Sequence, residues 1–197
     1  MLAEDLEKLP KGGVKQAFLS TGEAVFLRPI REEDGAILAE FFESLSDETR
    51  GFYSPHSFDQ ETADRICLEA ATDNTLRILG ILETVALSNV IAYFIVTLAL
   101  REKEAERFTS YGLSLDPAFA CSLAPSVSDR FQNTGVGSTV MAHMVELLRM
   151  LGKKHIVLQG GVQEKNQRAV HFYEKFGFEK AGEFQNRINN YDMVATL

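Results

Sequence analysis

Gln132-Asn133-Thr134-Gly135-Val136-Gly137-Ser138 joins a strand-like run over about 119–127 to an amphipathic segment, 135–151. In that segment Val136, Val140, Met144, Leu147 or Leu148, and Leu151 recur at helical spacing, and Gly152 stops it. Two glycines let the backbone turn tightly and let a ligand approach without a Cβ in the way. The N–H groups of such a loop converge with the positive end of the following helix, which makes an anion site, and a diphosphate is its natural guest. The spacing disfavours two other phosphate loops. A dinucleotide fingerprint needs glycine where Val140 stands, and there is no Gly-Lys-Ser/Thr. Taken alone, the loop also suits a structural turn with no ligand.

The second informative stretch is Asn166-Gln167-Arg168-Ala169-Val170-His171-Phe172-Tyr173-Glu174-Lys175-Phe176-Gly177-Phe178. Asn166 is placed to cap a helix over 166–176, Phe172 and Phe176 to pack it, and Gly177 to end it. Those roles leave Tyr173 unexplained. It follows Asn166 by nearly two helical turns and so shares its face. A phenol with its usual pKa of about 10 stays protonated at neutral pH and can donate to a departing thiolate of pKa about 8.5.

Together the two stretches resemble the GNAT superfamily of N-acetyltransferases. That family carries Gln/Arg-x-x-Gly-x-Gly/Ala between its fourth strand and third helix, matched here by Gln132, Gly135 and Gly137. Its later Asn-x-x-Ala-x-x-Phe-Tyr-x-x-x-Gly-Phe is matched by Asn166, Ala169, Phe172, Tyr173, Gly177 and Phe178. Upstream, the stretches Thr21–Asp34 and Phe41–Arg50 are similar to the opening of these domains, especially those of bacterial protein-lysine acetyltransferases. The resemblance covers 14–197 as one domain and leaves 1–13 as an N-terminal extension, with 101–117 longer than usual between the third and fourth strands.

The resemblance implies an α/β (α+β) GNAT fold: a mixed, mainly antiparallel twisted sheet of about seven strands flanked by about four helices, splayed at strands 4 and 5. It implies acetyl-CoA as co-substrate. The pyrophosphate would rest on backbone N–H groups of Asn133, Thr134, Gly135, Val136, Gly137 and Ser138, after Gln132. The pantetheine arm would run beside Val127, Asn166 would touch the cofactor, and Tyr173 would protonate the leaving thiolate. A primary amine, of a small molecule or of a protein lysine or N-terminus, would attack the thioester directly in a ternary complex. Two family carboxylates are missing. The position ten residues before Gln132 is Ser122, and the one five before Asn166 is Gly161, preceded by Gly160. His155, His171, Glu83 or a chain of waters are the substitutes for the base. The Gly160-Gly161 pair is expected to permit close backbone approach or to leave extra room at the splay, and to border a widened acceptor pocket. The rival reading is a non-catalytic acyl-CoA-binding regulatory domain.

Composition narrows the field. The chain has 197 residues, 45% hydrophobic and 24% charged, which fits a globular domain and not a disordered or fibrous chain. A net charge of −8 with no Lys/Arg cluster disfavours nucleic acid. Two cysteines, Cys67 and Cys121, form no disulfide framework, and the four histidines share no ligand spacing, so neither disulfides nor a metal is expected. Met1–Pro10 is no secretory signal. The longest uncharged run, Thr84–Leu100, has 17 residues, short of the about 20 a spanning helix needs. A cytoplasmic protein with no membrane partner follows, and a homodimer is compatible with it.

The remaining expectations are local. A helix over 1–9 carries Leu2, Leu6 and Leu9 and is broken by Pro10–Gly13. A hairpin joins 14–19 to 24–27 through Ser20–Glu23, and a helix carries Ile37, Leu38, Phe41, Phe42 and Leu45 with Glu32–Asp34 in its first turn. Ser46–His56 reads as a loop, and Ser57 with Gln60 as a capping box for a helix that buries Ala63, Ile66, Cys67 and Ala70. Strands are expected over 76–82, 90–100, 155–162, 179–184 and 190–196, and 101–107, with six charges in seven positions, reads as a solvated connection.

Overall fold

Alternating Val, Ile, Leu and Phe runs become strands, and the computed structural model describes them within residues 15–19, 22–70, 75–83 and 88–197. The expected helix over 1–9, its break at Pro10–Gly13, the turn residues Ser20 and Thr21 and positions 84–87 lie outside the described residues. The chain divides into two compact units. One comprises the chain to Ile95 with Pro125–Leu147, the other Val96–Ala124 with Leu148–Leu197. Among the described residues there are nine strands and six α-helices, arranged as a mixed, mostly antiparallel sheet with flanking helices. The excess over the expected number comes from the strand expected over 155–162, which is split in two, and from helices at Asp47–Phe52 and Glu102–Ser110, expected as a loop and a connection.

In the first unit β1 (Lys15–Phe18), β2 (Ala24–Pro29) and β3 (Thr75–Glu83) pair antiparallel, with Val25 opposite Leu82, and β4 (Ser88–Thr97) follows β3. The Ser128 N–H, just past β5 (Ala120–Val127), donates to the Ile91 carbonyl at 2.9 Å. The helices are α1 (Gly35–Glu43), α2 (Asp47–Phe52) and α3 (Gln60–Glu69), and α5 (Val136–Met150) begins here. Leu38, Phe41, Phe42, Ala63, Ile66 and Leu79 are buried core residues. Three expectations are corrected here. Glu32–Asp34 form a 3-10 turn ahead of α1, and Asp34 is buried under a two-pronged contact from Arg28 at 2.6 and 2.7 Å. The α3 cap is Asp59, which accepts from the Thr62 N–H at 2.7 Å, because its carboxylate reaches the first turn where Ser57 lies too early. The loop Ser46–His56 contains α2, capped by the Ser46 hydroxyl at 3.2 Å from the Thr49 N–H.

In the second unit the first half of β5 pairs parallel with β6 (His155–Leu158), from Ala120 opposite His155 to Leu123 opposite Leu158. The Gln159 N–H to the Leu123 carbonyl, 2.9 Å, follows that pairing, whereas β5 runs on to Val127. β9 (Asn189–Thr196) pairs antiparallel with β6, β7 (Val162–Gln163) and β8 (Phe178–Gln185). The helices are α4 (Glu102–Ser110) and α6 (Gln167–Glu174).

The strand expected over 155–162 is broken, because Gly160 and Gly161 both turn at φ +73°. At Gly161 a Cβ would lie 2.8 Å from the Phe184 ring and 2.8 Å from the Tyr191 carbonyl oxygen, so the close backbone approach expected of the pair is present there. Gly161→Ala combines a left-handed φ with overpacking against backbone and is expected to destabilise by about 1–3 kcal/mol. Urea unfolding checks this, and a wild-type midpoint would contradict it.

The expected solvated connection is α4, a docked helix. Glu104 and Phe108 are buried, at 4% and 0% exposure. Glu104 accepts from the Gly160 N–H at 3.0 Å. Arg107 grips the fully buried Asp192 of β9 at 2.7 and 3.0 Å, and the Tyr111 hydroxyl donates to the same carboxylate at 3.1 Å. The Arg107 guanidinium also lies 4.1 Å over the Phe184 ring, and Gly182 leaves room for Tyr111. Both cysteines are free and buried, and burial pushes the Cys67 thiol up to about 11 and the Cys121 thiol up to about 12, which keeps them unreactive at neutral pH.

Candidate active site

In the first unit β5 ends at Val127 and a 3-10 turn, Asp129–Phe131, leads into the glycine loop. Asn133 and Gly135 adopt φ +62° and +93°, so the chain reverses in two left-handed steps before α5 begins. A Cβ at Gly135 would meet nothing within 4 Å, so glycine is required there by conformation, not by space. Asn133, Thr134, Gly135 and Ser138 are exposed, Gly137 is half-buried, and Val136 is buried as the anchor. The first amides of α5, a fifteen-residue helix, have no carbonyl partner within it and carry its positive end. An exposed, left-handed loop on such a helix start fits a phosphate group.

Side chains hold this loop from behind. The Asp129 carboxylate accepts from the Ser46 N–H at 2.9 Å and from the Ser46 and Thr49 hydroxyls, each at 2.8 Å. Burial raises its pKa, but those three donors outweigh burial and leave it below the usual carboxylate range. The Gln132 amide donates to the Val127 carbonyl at 3.1 Å and to the Thr49 hydroxyl at 3.2 Å. Thr134 closes the turn on the Phe131 carbonyl at 2.7 Å. Val127 and Gln132 to Ser138 therefore form one cluster, with Gln132 as a latch between strand, loop and α2. Thr49→Val removes one acceptor of the latch and one donor to Asp129. If the loop holds the acetyl-CoA that the resemblance implies, affinity for it is expected to fall about 3–10-fold, from about 1 kcal/mol per hydrogen bond. Calorimetry on the folded variant checks it, and unchanged affinity would show that the latch is dispensable.

The second unit holds the other two expected residues. Asn166 caps α6, its side-chain oxygen accepting from the Ala169 N–H at 3.2 Å. Tyr173 is buried, with its ring 5.4 Å from those of Phe172 and Phe178. Its hydroxyl has no partner among the described residues, and burial raises its pKa further above the usual phenol value, so it stays protonated. Ser122 is fully buried with its hydroxyl unpartnered. The three residues named as substitute bases lie apart from one another in the sequence and differ in surroundings. The His171 side chain is 71% exposed beside Glu174, His155 lies 3.5 Å from the Thr196 hydroxyl at the start of β6, and Glu83 is exposed.

One titratable residue that sequence reasoning missed stands in the first unit, between α2 and α3. His56 Nδ1 lies 2.7 Å from the Ser57 carbonyl oxygen. Its ring centroid is 5.0 Å from Phe42, 5.6 Å from Phe58 and 5.9 Å from Tyr93. Burial lowers its pKa from the ordinary 6.5, and the carbonyl hydrogen bond opposes this only in part. A histidine whose folded pKa is depressed adds stability above its unfolded pKa and loses it as pH falls. From about pH 8 to about pH 5, spanning the imidazole range, the parent is expected to lose more thermal stability than His56→Phe. Parallel melting curves would contradict this. The signal available in the sequence was the aromatic crowding of Tyr53, His56 and Phe58 within six residues.

Among the described residues no group of three His, Cys, Asp or Glu side chains could hold a metal ion, and no helix is long and apolar enough to cross a membrane. A sequence model described as the Acetyltransferase (GNAT) family matches residues 37–178. Among curated proteins none is significantly similar in sequence. The fold is similar to the GNAT domain of a Streptomyces lividans PAT, with TM-score 0.72, 19% identity and coverage of 95% of this chain and 99% of that one. It is also similar to AAC(6')-Ib in complex with paromomycin and acetyl-CoA, with TM-score 0.66, 20% identity and coverage of 87% and 93%. The ribosomal-protein-S5-alanine acetyltransferase of Vibrio fischeri gives 0.68, 13% and coverage of 87% and 92%. These likenesses bear out a GNAT fold, and the parallel β5–β6 pair fits the splay expected of it.

Proposed function

Because this chain belongs to the GNAT acetyltransferase family, we propose that it transfers an acetyl group from acetyl-CoA to a primary amine. The observation that carries the reading is the exposed left-handed loop at Asn133 and Gly135 on the start of α5, held by Gln132 and Asp129. In this reading the amides of Asn133 to Ser138 receive the pyrophosphate, Val127 lies beside the pantetheine arm and Asn166 beside the cofactor. The thioester supplies an activated acetyl carbonyl. The amine attacks it directly, and the Tyr173 phenol protonates the sulfur as it leaves. Holding amine and thioester together can supply about 7–11 kcal/mol of the barrier reduction. The acceptor is a small-molecule amine or a protein lysine or N-terminal amine. A net charge of −8 favours a cationic one by long-range attraction.

Gly135→Val tests the cofactor half. A branched residue at φ +93° costs about 1–3 kcal/mol of strain or forces the loop out of shape, so acetyl-CoA should bind about 5–100-fold more weakly. Titration calorimetry reads this, and unchanged affinity in the folded variant would remove the loop from the binding site. The absence of a carboxylate at Ser122 and Gly161 favours a second reading, an acyl-CoA-binding domain without turnover. The retained Tyr173 hydroxyl opposes it.

A further inference from the structure

We propose that His56 is a proton-operated switch on the cofactor loop: acid charges its imidazole, releases α2 and weakens the hold on acetyl-CoA. The inference rests on the cofactor-binding half of the reading above and adds a regulation to it.

His56 lies on the short connection between α2 and α3. The Ser57 carbonyl oxygen can only accept, so the hydrogen between it and His56, at 2.7 Å, belongs to Nδ1. In the neutral ring Nε2 is then a bare acceptor, enclosed and without a hydrogen-bond partner. Phe42 of α1, Phe58 and Tyr93 of β4 wall the ring in. This place accommodates an imidazole and disfavours an imidazolium. A second hydrogen, on Nε2, would meet no partner there, and a buried charge without one is strongly unfavourable.

The groups around the ring act mostly in the same direction. Burial is the largest influence and disfavours the charged form. Arg77 on β3 and Arg65 on α3 add to it, while the Ser57 carbonyl and, least of all, Asp59 at the α3 cap oppose it. From α2, Arg50 brings a further positive charge, 5.7 Å over the Phe58 ring. From α1 and β4 the ring is faced by the Phe42 benzene and the Tyr93 phenol. The imidazole therefore takes up a proton by leaving this cluster.

The cluster is also what α2 is tied to. Arg50 donates to the Phe42 carbonyl at 2.8 Å, and the Tyr53 ring at the end of α2 lies 6.2 Å from Phe58. One residue before Arg50, the Thr49 hydroxyl donates to Asp129 and accepts from the Gln132 amide. Ser46, which caps α2, gives Asp129 its other two donors. A six-residue helix is too short to hold its shape alone, so it depends on these two anchorages. It joins the imidazole cluster to the glycine loop entirely within the first unit. Neutral His56 keeps α2 docked and the loop held, and the imidazolium releases both. Acetyl-CoA needs the held loop, so proton and cofactor compete, each weakening the other's binding by the same factor.

Two measurements decide. Calorimetry with acetyl-CoA from about pH 8 to about pH 5 should show the parent losing about 5–150-fold more affinity than His56→Phe, which keeps the ring packing and takes no proton. The cofactor's own titrations are common to both proteins and cancel in the comparison. In nitrogen-15-labelled parent, imidazole correlations should show His56 protonating at a lower pH with acetyl-CoA bound than without it. This second reading needs no variant and stands even if His56→Phe folds poorly. Parallel affinity curves, or a protonation midpoint that acetyl-CoA leaves in place, overturn the switch and leave cofactor binding standing. A parent that binds no acetyl-CoA at about pH 8 defeats the cofactor reading as well.

Discussion

Tyr173→Phe is expected to slow acetyl transfer by about 10²–10⁴-fold when thiolate departure limits the rate, with acetyl-CoA affinity unchanged. The ring is buried between Phe172 and Phe178, and phenylalanine keeps those contacts. The hydroxyl has no hydrogen bond among the described residues, so its removal breaks no internal bond. Burial also holds the phenol in its protonated form, ready to donate. Steady-state turnover and calorimetry on one preparation separate the two effects. Parental turnover in the variant would show that the proton comes from elsewhere.

Arg107→Met is expected to cost about 3–5 kcal/mol of stability, because it strands Asp192 as an unpaired buried charge. Asp192 is fully buried, and Arg107 supplies the two shortest of its contacts, 2.7 and 3.0 Å. The Tyr111 hydroxyl cannot neutralise a carboxylate. Methionine keeps much of the stem that lies against β9, so the loss reports charge more than packing. Replacing both partners by apolar residues should recover much of the loss. Denaturant unfolding of the single and double variants checks both statements. A single variant as stable as the parent would contradict the need of Asp192 for its Arg107 partner.

The same cluster shows where sequence reading stopped. Strands β2, β3 and β4 are runs of Val, Ile, Leu and Phe, and α5 repeats its apolar residues over four turns, so composition and period identify them. The glycine loop was legible because Gly135 and the Asn133 before it have few conformational reasons to stand ahead of a helix other than the turn they make. The α4 helix was not legible. Its Glu104, Arg107 and Phe108 lie three to four residues apart on one face, but a period of hydrophobicity counts charged residues as solvent-facing. Here the charges point inward because Gly160 and Asp192 are waiting for them, and those partners are more than 50 residues away in sequence. The α2 helix is too short for any period and announces itself only through its Ser46 cap and the acids Asp47 and Glu48. His56 was missed for a related reason. Nothing in a sequence distinguishes a solvated loop histidine from one whose Nδ1 is committed to its neighbour's carbonyl, and only the fold brings Phe42 and Tyr93 against the ring.

The central claim is turnover, and mass spectrometry of the acceptor measures it. Incubated with acetyl-CoA and the amine panel, the parent should release coenzyme A in step with an acceptor heavier by one acetyl group, and Tyr173→Phe should do so far more slowly. Tight binding of acetyl-CoA with no acetylated amine, in a parent indistinguishable from Tyr173→Phe, would contradict the account and leave a binding domain in its place.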